Sequence, residues 1–149
     1  MPYDSPIAVP GEPTQAVAVY CSDGRFVRHT LDFLEHRHGL DLVDALAVPG
    51  GPVRLIDPAG STLLEDVVFL LEAHGLRRAV LIQHDDCGHY AHRLGLFDSA
   101  ARRRQDADLA AAGRLLRERS GVERIDLYTL RLHGEEVRFE PLPEAAASA

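Results

Sequence analysis

Apolar residues fall in short dense runs, separated by longer segments in which they recur every three or four positions. The runs are Ala16-Val17-Ala18-Val19-Tyr20, Ala45-Leu46-Ala47-Val48, Ala79-Val80-Leu81-Ile82 and Ile125 to Leu132. The first three have no polar interruption, as strands buried on both faces do. Between them, Phe26 to His38 places Phe26, Val27, Leu31, Phe33 and Leu34 at helical spacing and ends at Gly39. Ser61 reads as the N-cap of a second helix with the apolar face Leu63, Leu64, Val67, Val68, Leu70 and Leu71, closed by Gly75. A polar-rich third helix is expected from about Ser99 to Arg119, ahead of Gly121. His133-Gly134-Glu135-Glu136 reads as a tight turn into a last short strand, Val137-Arg138-Phe139.

Strand–helix alternation with apolar strands predicts an α/β fold. The expected form is a single domain with a mostly parallel four-stranded central sheet flanked by helices, and a short C-terminal antiparallel edge strand. Residues 1–14, which carry Pro2, Pro6, Pro10, Gly11 and Pro13, read as a Pro-rich N-terminal arm. Residues 15–142 read as the domain and 143–149 as a flexible tail. Ligands of such sheets bind beyond the carboxyl ends of strands, where strand order reverses. If the first and third strands are neighbours, Cys21-Ser22-Asp23-Gly24-Arg25 and His84-Asp85-Asp86-Cys87-Gly88 meet in one crevice. Pro49-Gly50-Gly51 would let backbone approach that crevice closely.

The chain has 149 residues, the size of one domain with a core of its own. A formal net charge of −7 argues against a nucleic-acid partner. Arg102-Arg103-Arg104 is surrounded by Asp98, Asp106 and Asp108 and reads as a solvated helix face. No apolar run approaches the ~20 residues of a membrane span, so no membrane partner is expected. The first residues lack the basic and apolar regions of a secretory leader. All 16 basic residues are Arg, which excludes lysine Schiff-base chemistry. The 2 cysteines make no disulfide framework. They point to a cytoplasmic location, where free thiols mean burial, metal binding or catalysis.

Two thiols and an imidazole suit zinc, which takes nitrogen and sulfur ligands in tetrahedral geometry. Three protein ligands leave a fourth position open, the layout of a catalytic site. The competing readings of Cys21 and Cys87 are inert buried thiols and a disulfide pair, the latter disfavoured by the lack of a Cys-x-x-Cys. Asp23 and Arg25 read as a functional pair or as an ion pair bracing the turn. Asp85 and Asp86 look like a paired-carboxylate site, but direct catalysis is the lesser reading beside solvated loop residues or hydrogen-bond acceptors for ligand backbone or neighbouring side chains. His89 and His92 read as surface or core residues, with proton shuttling as the sharper alternative. His36 and His38 suit a helix end, where the dipole favours positive charge. His133 belongs to the hairpin.

Cys21-x-Asp23-x-Arg25, followed much later by His84-x-x-Cys87-Gly88, resembles the β-class carbonic anhydrases. The resemblance runs from about Ala16 to Phe139. It includes Pro49-Gly50-Gly51 as the family's glycine-containing turn and Ser61 through Gly75 as the helix before the third strand. Leu132-His133-Gly134 begins its terminal hairpin. By the resemblance the chain reads as a trimmed version, without the long N-terminal helices of many members, and its glycine turn lacks the usual Arg-Asn lead. Gln15 lies closer to Cys21 than the family's substrate-binding glutamine would, and Glu12 is nearer the expected place.

The resemblance implies Zn2+ held by Cys21, His84 and Cys87. It implies Asp23 as a fourth ligand in a closed form or as the partner of zinc-bound water, with Arg25 holding Asp23 off the metal. The implied activity is reversible hydration of CO2 to bicarbonate by a zinc-bound hydroxide, with residues 15–142 as the zinc domain. A homodimer or higher homo-oligomer is implied as well, and the Pro-rich arm could reach across to the partner. Alternatives on the same residues are hydrolysis of carbonyl sulfide or carbon disulfide, and a non-catalytic zinc- or bicarbonate-binding homologue.

Overall fold

The computed structural model describes residues 1–142, Gly60 and Ser61 by their backbone alone. Strands β1 (Ala16–Cys21), β2 (Val43–Val48), β3 (Arg78–His84), β4 (Arg124–His133) and β5 (Glu136–Pro141) form one sheet in the order β2-β1-β3-β4-β5. The first four run parallel, and β5 pairs antiparallel with β4 at the edge. Helices α1 (Val27–His38), α2 (Ser61–Ala73) and α3 (Asp98–Ser120) cover the sheet. This is the α/β architecture that the alternating pattern predicts.

The uninterrupted apolar strands follow from burial on both faces. Val17, Val19, Ala79 and Leu81 pack with Leu63, Leu64, Val67 and Leu71 of α2 and Leu109, Ala112 and Leu116 of α3. The alternate residues Ala16, Ala18, Tyr20, Val80 and Ile82 pack with Leu34 of α1 and with Leu40. Each large apolar side chain buried this way contributes about 1.5–3 kcal/mol. β2 is an edge strand and starts two residues before its apolar run. It tolerates Asp44 because that carboxylate pairs with His74 Nδ1 at 2.6 Å and accepts the Thr14 hydroxyl at 3.3 Å.

The glycine stop expected after α1 forms. Gly39 takes φ 66° and donates to the Glu35 carbonyl at 2.9 Å, and Leu40 donates to that of Leu34 at 2.8 Å. The chain is thereby turned back toward β2. The capping role expected of Ser61 and the tail expected from residue 143 lie outside the described side chains and residues.

Two short elements escape the sequence pattern. Gly51–Leu55 is a 3-10 helix that buries Val53 and Leu55. His89–Arg93 is a single π-helical turn. Within it Tyr90 is buried and donates its hydroxyl to Asp108 on α3 at 2.9 Å. Among the described residues, no helix is long and apolar enough to cross a membrane.

Strand order reverses between β1 and β3, because the chain leaves β1 for β2 on one side and later returns to β3 on the other. The carboxyl ends of β1 and β3 therefore open onto a crevice.

Candidate metal centre

β1 ends on Cys21, and Ser22 keeps the chain in register by donating to the Val48 carbonyl at 3.0 Å. β3 ends on His84, and the loop that follows folds back to bring in Cys87. One ligand atom from each of Cys21, His84 and Cys87 lies within 4.8 Å of the others. His84 and Cys87 are buried and Cys21 is half-buried. His84 and Cys87 follow Cys21 by 63 and 66 positions, and the β1–β3 pairing brings them beside it.

The state of His84 follows from its contacts. Its Nδ1 lies 2.6 Å from the Asp85 carbonyl, which can only accept, so Nδ1 carries the proton. Nε2 is then left with a lone pair. It is buried and makes no hydrogen bond. Its ring is held on one side by Phe26, with ring centroids 4.9 Å apart. A buried nitrogen lone pair beside two sulfurs is an unsatisfied acceptor until a cation fills the gap. The donor set suits a borderline-soft divalent ion with a preference for nitrogen and sulfur.

The two thiols differ in acidity. Interaction with the Cys87 thiol, helped by His84 and opposed by burial, lowers Cys21 to about 4. Cys87 is pushed far above the ordinary thiol range, first by the Cys21 sulfur beside it and then by burial.

Asp23 stands at the mouth, its Oδ2 3.9 Å from His84 Nε2. Arg25 engages both of its oxygens: Nη2 donates to Oδ2 at 2.8 Å and Nε to Oδ1 at 3.1 Å. The Arg25 backbone N–H adds a further bond to Oδ1 at 3.0 Å. This side-chain contact holds the Asp23 carboxyl below its usual range. Arg25 also reaches the other half of the site, donating from Nη1 to the Asp86 carboxylate at 3.2 Å and from Nη2 to the Asp86 carbonyl at 3.3 Å. A cavity of about 290 Å³ lined by Cys21, Asp23, Gly50, His89 and His92 opens to solvent here.

The remaining expected residues sort by position. Asp86 is exposed, but Asp85 is not a solvated loop residue: its carboxylate is buried and accepts from Arg102, Arg131 and the Leu132 N–H. His36 pairs with Asp32, and His133 lies 3.8 Å from Glu140. His38 is wedged between Phe33 and Tyr128, away from the crevice. Gln15 sits at the amino end of β1, opposite the site, where it bonds the Leu42 N–H and the Gly39 carbonyl. Glu12 is exposed on the arm. Three residues were not read as part of the site: Phe26 and Gln105 beside His84, and Arg131 on Asp85. Gln105 donates to the His84 carbonyl at 2.7 Å. Its one signal is that a neutral amide interrupts a charged helix face.

Residues 12–130 match the protein family described as "Putative carbonic anhydrase". In fold the chain is similar to the carbonic anhydrase of Streptococcus mutans (TM-score 0.59, 16% identity, covering 93% of this chain and 88% of that one). It is also similar to β-carbonic anhydrase isoform I of Trichomonas vaginalis (TM-score 0.57, 12% identity, 93% and 87% covered). A third similar fold is the β-carbonic anhydrase of Aspergillus fumigatus (TM-score 0.53, 16% identity, 91% and 80% covered). At these identities the likeness is one of fold. No curated protein matches the chain in sequence.

Proposed function

Because the chain belongs to the carbonic anhydrase family that it matches over residues 12–130, we propose that it is a zinc enzyme hydrating CO2 reversibly to bicarbonate. The observation that carries this reading is the buried, unpartnered Nε2 of His84, grouped with Sγ of Cys21 and Cys87. These three residues would hold the zinc. When bound, zinc supplies a Lewis acid that lets water act as a nucleophile near neutral pH.

The protein's own groups supply orientation. Asp23 is ionised and accepts a hydrogen bond from the attacking water, which turns the free lone pair toward the carbon of CO2. Arg25 fixes the angle of that carboxylate and keeps it from swinging onto the fourth position. The cavity mouth lets bicarbonate and the released proton leave to buffer.

The assembly we propose is a homodimer or higher homo-oligomer, with residues 15–142 as the catalytic domain. Tyr3, Ile7 and Val9 of the 1–14 arm are 84%, 81% and 92% exposed, which suits an arm that packs on a partner. A monomer in light scattering would contradict this. A reducing cytoplasmic compartment would keep both sulfurs available.

Stopped-flow CO2 hydration with zinc-loaded protein tests the activity. The reading predicts a rate above buffer that rises with pH, and no such rate up to about pH 9 would overturn it. Carbonyl sulfide and carbon disulfide assayed beside CO2 test the alternative hydrolase reading.

A further inference from the structure

Asp85 is a buried carboxylate that the reaction does not use. Its side chain is 5% exposed. Arg131 Nη1 donates to Oδ1 at 2.9 Å, while Arg102 Nη2 and the Leu132 N–H donate to Oδ2 at 3.2 and 3.0 Å. The Asp85 N–H donates to the Leu130 carbonyl at 2.9 Å. Both ends of the residue are thus fastened to β4, and its carbonyl is left to accept the His84 Nδ1–H at 2.6 Å.

A buried carboxylate is costly and persists where its donors are fixed. Beside it Asp86 takes φ 57°, a left-handed conformation with a modest cost for a residue with a Cβ. The loop is held from β4 and α3, where Gln105 also holds the His84 carbonyl.

We propose that Asp85, gripped by Arg131 and Arg102, is a positioning residue for His84. By fixing one carbonyl it sets the tautomer and ring angle of the nitrogen ligand, and so how slowly the site releases its metal. This rests on the proposed zinc site. Partners of this kind typically change metal affinity about 10–100-fold when removed.

The test follows zinc release from the loaded full-length protein to a colorimetric chelator. Asp85→Ala is expected to release zinc about 10–100-fold faster, Asp85→Asn less so, and Arg102→Ala by a smaller factor. Asp126→Asn, which breaks the Arg78 ion pair away from the crevice, is expected to release at the wild-type rate. In metal-free protein, long-range proton–nitrogen NMR should show one His84 tautomer in the wild type and a mixture in Asp85→Ala. Wild-type release with a single tautomer in Asp85→Ala would overturn the proposal, as would equal acceleration by Asp126→Asn. Should Asp85→Ala not fold, Arg102→Ala decides, since that side chain is 55% exposed, and an unchanged rate there overturns the proposal. A wild-type chain that takes up no zinc would contradict the proposed function instead, and the tautomer measurement would still judge the role of Asp85.

Discussion

A Cβ on Gly51 would stand 2.8 Å from the backbone nitrogen of Cys21 and 2.9 Å from the carbonyl carbon of Tyr20. The turn after β2 is pressed backbone against backbone onto the end of β1, at φ 60°. Neither contact can yield as a flexible side chain would. Gly51→Ala should therefore cost about 2–4 kcal/mol, from left-handed strain plus overpacking. Gly75→Ala has a similar φ of 61° and open space, and should cost only the strain, about 1–2 kcal/mol. Urea unfolding of both variants checks this, and equal losses would show that the close approach to Cys21 does not matter.

Arg25 grips Asp23 at the mouth of the site. Arg25→Ala frees that carboxylate to rotate, and a misplacement of about 1 Å can cost about 100-fold in rate. The expected outcome is a loss of that order in CO2 hydration at neutral pH, with zinc content unchanged. Stopped-flow rates beside metal analysis measure it. A wild-type rate would assign the Asp23–Arg25 pair to bracing the turn alone.

His38 carries a pH dependence of stability. Burial is the main cause that lowers its pKa, followed by the Arg78 charge, with Arg37 and Arg124 adding to it and Asp126 opposing. Arg78 Nη2 also lies 2.7 Å from Nδ1, a contact that protonation would break. The unfolded chain thus binds its proton first as pH falls. Stability from this residue is full above about pH 6.5 and is lost as pH drops toward the lowered folded value. Denaturant unfolding at pH 7.5 and 5.5 should show a decline that His38→Gln reduces. Identical slopes in the two proteins would contradict it.

The sheet was legible because β1 and β3 are buried on both faces, and that burial leaves an uninterrupted apolar run. The convergence of Cys21, His84 and Cys87 was legible because the first two end strands that could be guessed to be neighbours and the third follows in the next loop. Gln105 and Arg131 were not, since a single polar residue on a helix or strand looks the same whether it meets water or, as here, the His84 carbonyl and the Asp85 carboxylate. Asp85 was half legible: an acceptor role was foreseen, but its burial depends on β4 arriving alongside. Tyr90 shows the same limit, for its burial in the π-helical turn goes with a bond to Asp108, 18 residues away.

X-ray absorption at the zinc edge of the purified protein tests the account most directly. It should show about one zinc per chain, with two sulfurs near ~2.3 Å and one imidazole nitrogen at about 2.0–2.1 Å. A shell of nitrogen and oxygen alone, without sulfur, would contradict it.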